Sequence, residues 1–283
     1  MNLNPSAVTV LLLLAGLASA QTTTRPKYMD RAMIQRADST VTVTANYPTP
    51  LFQAVDGIRL KYGWQVNWEE APCYSRLDVV DDTSPRWRAA HPDAKGVTRK
   101  AGGYFVSTFP EPKAGEMATE EEALRKVIGD YNATANPGKY ILRSGPGEQY
   151  TVVGTEVRND DGNLQKVTPI LDMPISVDGP RRSAAEALDT ILQELSSASG
   201  KRIILMSLPN NLFRDTEVTL RGHNVIAREL LQQLFREIQR PLQYDLGFDP
   251  DHSAAYILNV SVTAKAELGQ NGQRLPDPVD RRR

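Results

Sequence analysis

At 283 residues the chain is long enough for two modest domains. Its 33 basic and 34 acidic residues nearly cancel, which gives no reason to invoke nucleic acid or an acidic partner. An apolar fraction of 40% predicts a globular chain for most of its length, and a single cysteine, Cys73, excludes an intrachain disulfide.

The first apolar run is Val8–Leu17, followed by Ala18-Ser19-Ala20 and Gln21. Small residues at Ala18 and Ala20 fit the cleavage rule of a signal peptide over residues 1–20. The run is shorter than the roughly 20 residues a membrane helix needs. Met1–Ala7 carries no Lys or Arg, so the charged region of the signal rests on the amino terminus. The expectation is an exported protein, periplasmic or secreted, with no integral membrane segment in the mature chain. Residues 21–40 are polar and read as a flexible lead-in, with a short helix over Tyr28–Arg36.

Two copies of one pattern follow. The first spans residues 41–157. Val41–Thr44 is a β-branched strand, and Pro48-Thr-Pro50 introduces a helix with Leu51, Ala54, Val55, Ile58 and Tyr62 on one face. Gly63 ends that helix, and Trp64–Trp68 is the next strand, with Trp64, Val66 and Trp68 on its buried face. Residues 71–103 form an insert rich in Pro, Asp, Arg and Lys. Thr119-Glu-Glu-Glu122 reads as a capping box for a helix with Leu124, Val127, Ile128 and Tyr131 inside. Tyr140–Arg143 and Tyr150–Val157 make a hairpin around Gly145-Pro-Gly147.

A linker over residues 158–174 leads to the second copy, residues 175–262. Ile175–Val177 opens it as a strand. Ser183-Ala-Ala-Glu186 is a capping box, and Ala184, Ala187, Leu188, Ile191, Leu192 and Leu195 line one helical face up to Gly200. Setting Gly63 on Gly200 puts Leu51 on Leu188, Ala54 on Ile191, Val55 on Leu192, Ile58 on Leu195 and Val66 on Ile203. Ile203–Leu205 and Glu217–Leu220 read as strands, and Asn224 as the cap of a helix with Ile226, Leu230, Leu231, Leu234 and Ile238 inside. Leu242–Gly247 and Tyr256–Val262 close the unit as strands around Asp249-Pro250-Asp251. Residues 263–283 turn to Gly, Gln, Pro and Arg and read as a disordered tail. The fold class is therefore α+β: two divergent repeats of helix-strand-strand-helix-strand-strand on small sheets.

No constellation of residues points to catalysis, so no catalytic residue is assigned. His91, His223 and His252 lack second ligands at metal-binding spacing, so no metal and no cofactor is expected. On one strand Glu69 and Glu70 face opposite ways and cannot share a substrate atom. Cys73 has no neighbour in sequence that would depress its pKa. Gly200-Lys201 lacks the upstream Gly of a phosphate loop. Asn132-Ala-Thr134 and Asn259-Val-Ser261 match a glycosylation triplet but fall within predicted regular elements. Arg86, Trp87 and Arg88 in the insert are the candidate partner-binding residues, because Trp and Arg are enriched among interface anchors.

Ala184–Leu195, Gly200–Leu205, Val218-Thr-Leu220, Asn224-Val225 and Leu230-Leu231 together resemble the secretin and TonB N-terminal short domain. The resemblance runs over about Ser183–Tyr244 and in part over Leu51–Trp68 and Glu120–Tyr140. It implies two helices against short strands and contacts in envelope signalling or assembly. With no barrel following, it implies a free-standing exported module. The expected function is a non-enzymatic binding or assembly module of the cell envelope that contacts a protein or peptide, by the insert or by strand addition. The alternative is an exported hydrolase or carbohydrate-acting enzyme with its site in the cleft between the repeats. The sequence leaves the oligomeric state open.

Overall fold

The computed structural model describes residue 29 and residues 31–113, 116–145, 149–251 and 255–263. The signal peptide expected over residues 1–20, most of the expected tail and the tip of the Gly145-Pro-Gly147 turn lie outside the described residues.

The first half opens with a hairpin of β1 (Met33–Ala37) and β2 (Thr40–Ala45). Residues 33–36 are thus strand, not the helix expected over Tyr28–Arg36. The chain reverses at Asp38, whose φ of 54° is tolerated by a short polar side chain, and β1 then pairs with the β-branched run of β2. Helix α1 (Pro50–Tyr62) starts on a proline at its first turn and ends on Gly63 at φ 73°. Strand β3 (Gln65–Glu69) follows. The insert holds β4 (Val79–Asp81), α2 (Pro85–Ala90) and β5 (Thr98–Lys100), with β4 and β5 paired antiparallel. Next come β6 (Phe105–Pro110), α3 (Met117–Asn132), β7 (Lys139–Ser144) and β8 (Gln149–Arg158). Helix α3 begins two residues before Thr119, so the expected capping box does not form. The Thr119 hydroxyl instead donates to the Glu116 carbonyl and accepts from the Lys113 amide.

The linker contributes β9 (Leu164–Lys166), paired with β8, and a 3-10 turn at Ile170–Asp172. The second half then runs β10 (Pro174–Val177), β11 (Arg182–Ser183), α4 (Ala184–Ser199), β12 (Ile203–Ser207), α5 (Asn210–Asp215), β13 (Glu217–Val218), β14 (Gly222–Ile226), α6 (Ala227–Ile238), β15 (Leu242–Asp249) and β16 (Ala255–Val262). The Ser183 box is formed in both directions, and Gly200 takes φ 63° at the end of α4. Asn224 does not cap α6. It sits within β14 at φ 55°, its amide bound to the Ser176 hydroxyl, and the helix starts three residues later. The strand expected over Glu217–Leu220 is confined to β13, which pairs with β11.

The fold is α+β, and the order of elements recurs. Strand β2 pairs antiparallel with β6 as β10 does with β14. Strand β3 pairs parallel with β8, and β8 antiparallel with β7. Strands β12, β16 and β15 repeat those two pairings. One parallel contact, Asp245 opposite Trp68 and Leu246 opposite Glu69, fuses the two triplets into a sheet of order β12-β16-β15-β3-β8-β7. Because β15 and β3 are parallel while β15 opposes β12, the equivalent strands β12 and β3 run in opposite directions. Alternation along β3 sends Val66 and Trp68 into the first core, with α1 and α3. Asn67 and Glu69 point through the other face towards Tyr244 and Arg228 of the second half. The helices of the two halves therefore cover opposite faces, and a half-turn about an axis crossing the strands relates the halves.

Candidate functional site: the cleft between the halves

The joint between the halves is held by side chains from both. Arg228, at the start of α6, donates from Nε and Nη2 to the Glu69 carboxylate at 2.6 and 2.5 Å. The Tyr244 hydroxyl donates to the same carboxylate at 2.6 Å. Arg228 Nη1 also meets Asp172 of the linker, which takes a two-pronged contact from Arg143 of β7 at 2.6 and 2.7 Å. The series Arg143–Asp172–Arg228–Glu69 thus passes from β7 through the linker to α6 and back to β3. Burial works against the Asp172 charge, but the two guanidinium groups hold its carboxyl below the usual carboxylate value. Burial likewise opposes the Arg228 charge, and Glu69 outweighs it and raises the Arg228 pKa. These groups are spent on each other, and their role is to fix one half against the other.

On the opposite face of the joint lies a cleft of about 470 Å³. Its position follows from the half-turn. Helix α1 covers β3 on this face, and the outward residues of β15 and β16 next to it are left without a helix. Phe52 of α1 and Trp68 of β3 form one side. Asp245, Gly247, Ile257 and Asn259 form the floor, and Thr98–Lys100 of β5 form the far wall. Trp68 is stacked between neighbours, edge-on to Phe52 at 5.5 Å and parallel to Tyr140 at 4.9 Å, so its face is fixed.

The charged groups around the cleft are already engaged. Buried Lys100 is paired with half-buried Glu70 at 2.9 Å and donates to the Ala71 carbonyl at 2.7 Å. Glu70 also accepts from the Phe248 amide at 2.7 Å. Asp245 is paired with buried Arg59 at 2.7 Å. Asp251 accepts from the Thr98 amide at 2.7 Å and from the Lys95 ammonium through its carbonyl. These contacts tie the insert to the hairpin β15–β16 and hold the cleft open at a set width. As the alternation along β3 requires, Glu69 and Glu70 go to opposite faces.

The residues singled out in the sequence lie elsewhere. Arg86, Trp87 and Arg88 sit on α2, at the far end of the insert hairpin and outside the cleft lining. Trp87 is 39% exposed and stacks on His91 at 4.8 Å, while Arg88 is paired with Asp81 at 2.6 Å. Cys73 is buried in the apolar core of the second half, where burial pushes its thiol up to about 11. It does not reach the cleft, and neither does His91. Phe52, Gly247 and Asn259 carried no local signal in the sequence, since their meeting depends on the β15–β3 pairing. Among the described residues no three His, Cys, Asp or Glu side chains gather as metal ligands would, and no helix is long and apolar enough to cross a membrane. No protein-family model matches the chain, and no curated protein matches it.

Proposed function

We propose that this chain is an exported binding module of the cell envelope and that the cleft between its halves takes an extended segment of a protein partner. The observation that supports this most is the cleft itself: an aromatic side, a sheet floor and a wall cross-linked into place by ion pairs. A preformed groove of that size suits an anchor side chain with its flanking backbone. The repeated order of elements supports a module like the secretin and TonB N-terminal short domain, used twice. Exposed Arg86 and Trp87 on α2, beside half-buried Arg88, extend the same contact along the insert.

Removing the insert is a poor test, because Ala71 is buried in the first core and Cys73 in the second, and its loss would open both. Gly247 offers a better one. A Cβ there would meet only Glu70 Oε2 at 3.5 Å and the Ile257 carbonyl at 3.9 Å, so a side chain can enter the cleft without backbone strain. Gly247→Gln should leave the melting curve unchanged and weaken capture of the partner from the native envelope about tenfold, or ~1.4 kcal/mol. Equal capture by both proteins would remove the cleft from the reading. Export is checked by amino-terminal sequencing of the protein from the envelope fraction, with Gln21 expected as the first residue.

A further inference from the structure

The fused sheet ends in two open edges, and the joint at its centre shows what fits between them. Among the described residues no further strand pairs with β7 beyond β8 or with β12 beyond β16. At the start of β7 the Asn132 side chain accepts from the Tyr140 amide and donates to its carbonyl. Register fixes the equivalences between the halves. Val66 lies opposite Tyr150 as Ile203 lies opposite Tyr256, so β3 matches β12. Ser144 lies opposite Tyr150 as Phe248 lies opposite Tyr256, so β7 matches β15, with Tyr140 on Tyr244 and Ile141 on Asp245. The internal joint is therefore a β7-type edge laid parallel on a β12-type edge. Among the described residues one edge of each type carries no further strand.

We propose that two copies of this chain join by laying β7 of one along β12 of the other, in the parallel register of the internal β15–β3 joint. In that register Ile141 comes opposite Leu205, as Asp245 does opposite Trp68. The receiving groove already exists between α4 and β12, lined by Leu192, Ser196, Ile203 and Leu205 and other residues of those two elements. It is the counterpart of the place where α1 faces β15. There, Arg59 of α1 pairs with Asp245. In α4 the matching position is Ser196, and the matching strand residue is Ile141, so the ion pair is replaced by an uncharged contact on both sides at once. Ile141 is 42% exposed on its edge, and Ile203, Ile204 and Leu205 are half-buried on theirs. β12 carries no charge, and the two on β7 are turned to partners within the chain, Lys139 to the carbonyls of Asn132 and Thr134 and Arg143 to Asp172.

The contact uses different surfaces on the two partners, so it does not close on itself. Each added copy repeats the half-turn and offers a fresh edge, which gives a growing ribbon with helices alternating between its faces. It does not depend on what the cleft binds.

The test has two arms on the protein as isolated from the cell. Sedimentation over a concentration series should show association beyond a dimer in the wild type, and Ile141→Lys should lower it at least tenfold with the melting curve unchanged. A wild-type monomer at every concentration overturns the proposal. For the second arm, Ile141→Cys protein is mixed with Leu205→Cys protein under mild oxidation. Cross-links between the two variants should form in preference to cross-links within either one. Preferred Ile141→Cys pairs with themselves, or Leu205→Cys pairs with themselves, would mean a symmetric edge contact and overturn the proposal.

Discussion

Arg228 stands out among single residues because it is buried and holds two acids from different segments. Removing one member of a buried ionic group leaves the other uncompensated, at a cost of ~3–5 kcal/mol. Arg228→Met should lose about that much in denaturant unfolding. Adding Glu69→Gln should restore part of it, because the stranded carboxylate is then neutral. A single variant as stable as wild type would show that Glu69 finds water or another partner. Nothing in the sequence marked this pair. Glu69 was legible as a strand carboxylate and Arg228 as an early helix residue, but they lie 159 positions apart. Local pattern carries no information at that range. By contrast the Ser183–Glu186 box was fully legible, because both of its hydrogen bonds close within one turn.

At the scale of elements, the amphipathic helices were readable because their inner faces repeat every three to four residues. The six inner positions expected for α4 are the six it buries. The boundaries were less readable where a strand competes for the same residues. Asn224 and Val225 look like a helix start, but β14 claims them, Val225 by pairing with Ile175 of β10 and Asn224 through the Ser176 hydroxyl. The same holds for β1, whose polar sequence has no pattern of its own and which becomes a strand by hydrogen-bonding to β2. Helix α6 offers the sharpest probe of the second core. Leu231 is 1% exposed within it. Leu231→Asp removes a buried leucine, worth ~2–5 kcal/mol, and adds an unpaired charge. Circular dichroism should find the protein unfolded as a whole rather than by half, since α6 also supplies Arg228 to the joint. A retained first transition would mean that the halves are stable separately.

For the whole molecule, the two halves were visible in the sequence as a duplication, but their fusion was not. The β15–β3 contact has no local signature and uses strand residues that would equally suit a free edge. The linker shares in that fusion through Asp172. Its carboxyl pKa is depressed in the folded protein, so its contribution to stability is complete above the unfolded value of about 3.9 and fades as pH falls through the folded value. Unfolding free energy should therefore drop as pH is taken from 5 to 3, and Asp172→Asn should flatten part of that slope while lowering stability at pH 5. An unchanged slope would assign the acid sensitivity to other carboxylates. The fusion also sets an order in time. The Asn67 side chain accepts from the Tyr244 amide, 177 residues later in the chain. Strand β3 is thus the middle of a sheet whose other side arrives last. A chain emerging amino terminus first must keep β3 half-paired, with Glu69 uncovered, until the final hairpin appears. Contacts of such long range slow folding, and the waiting interval is when a holding partner would matter most.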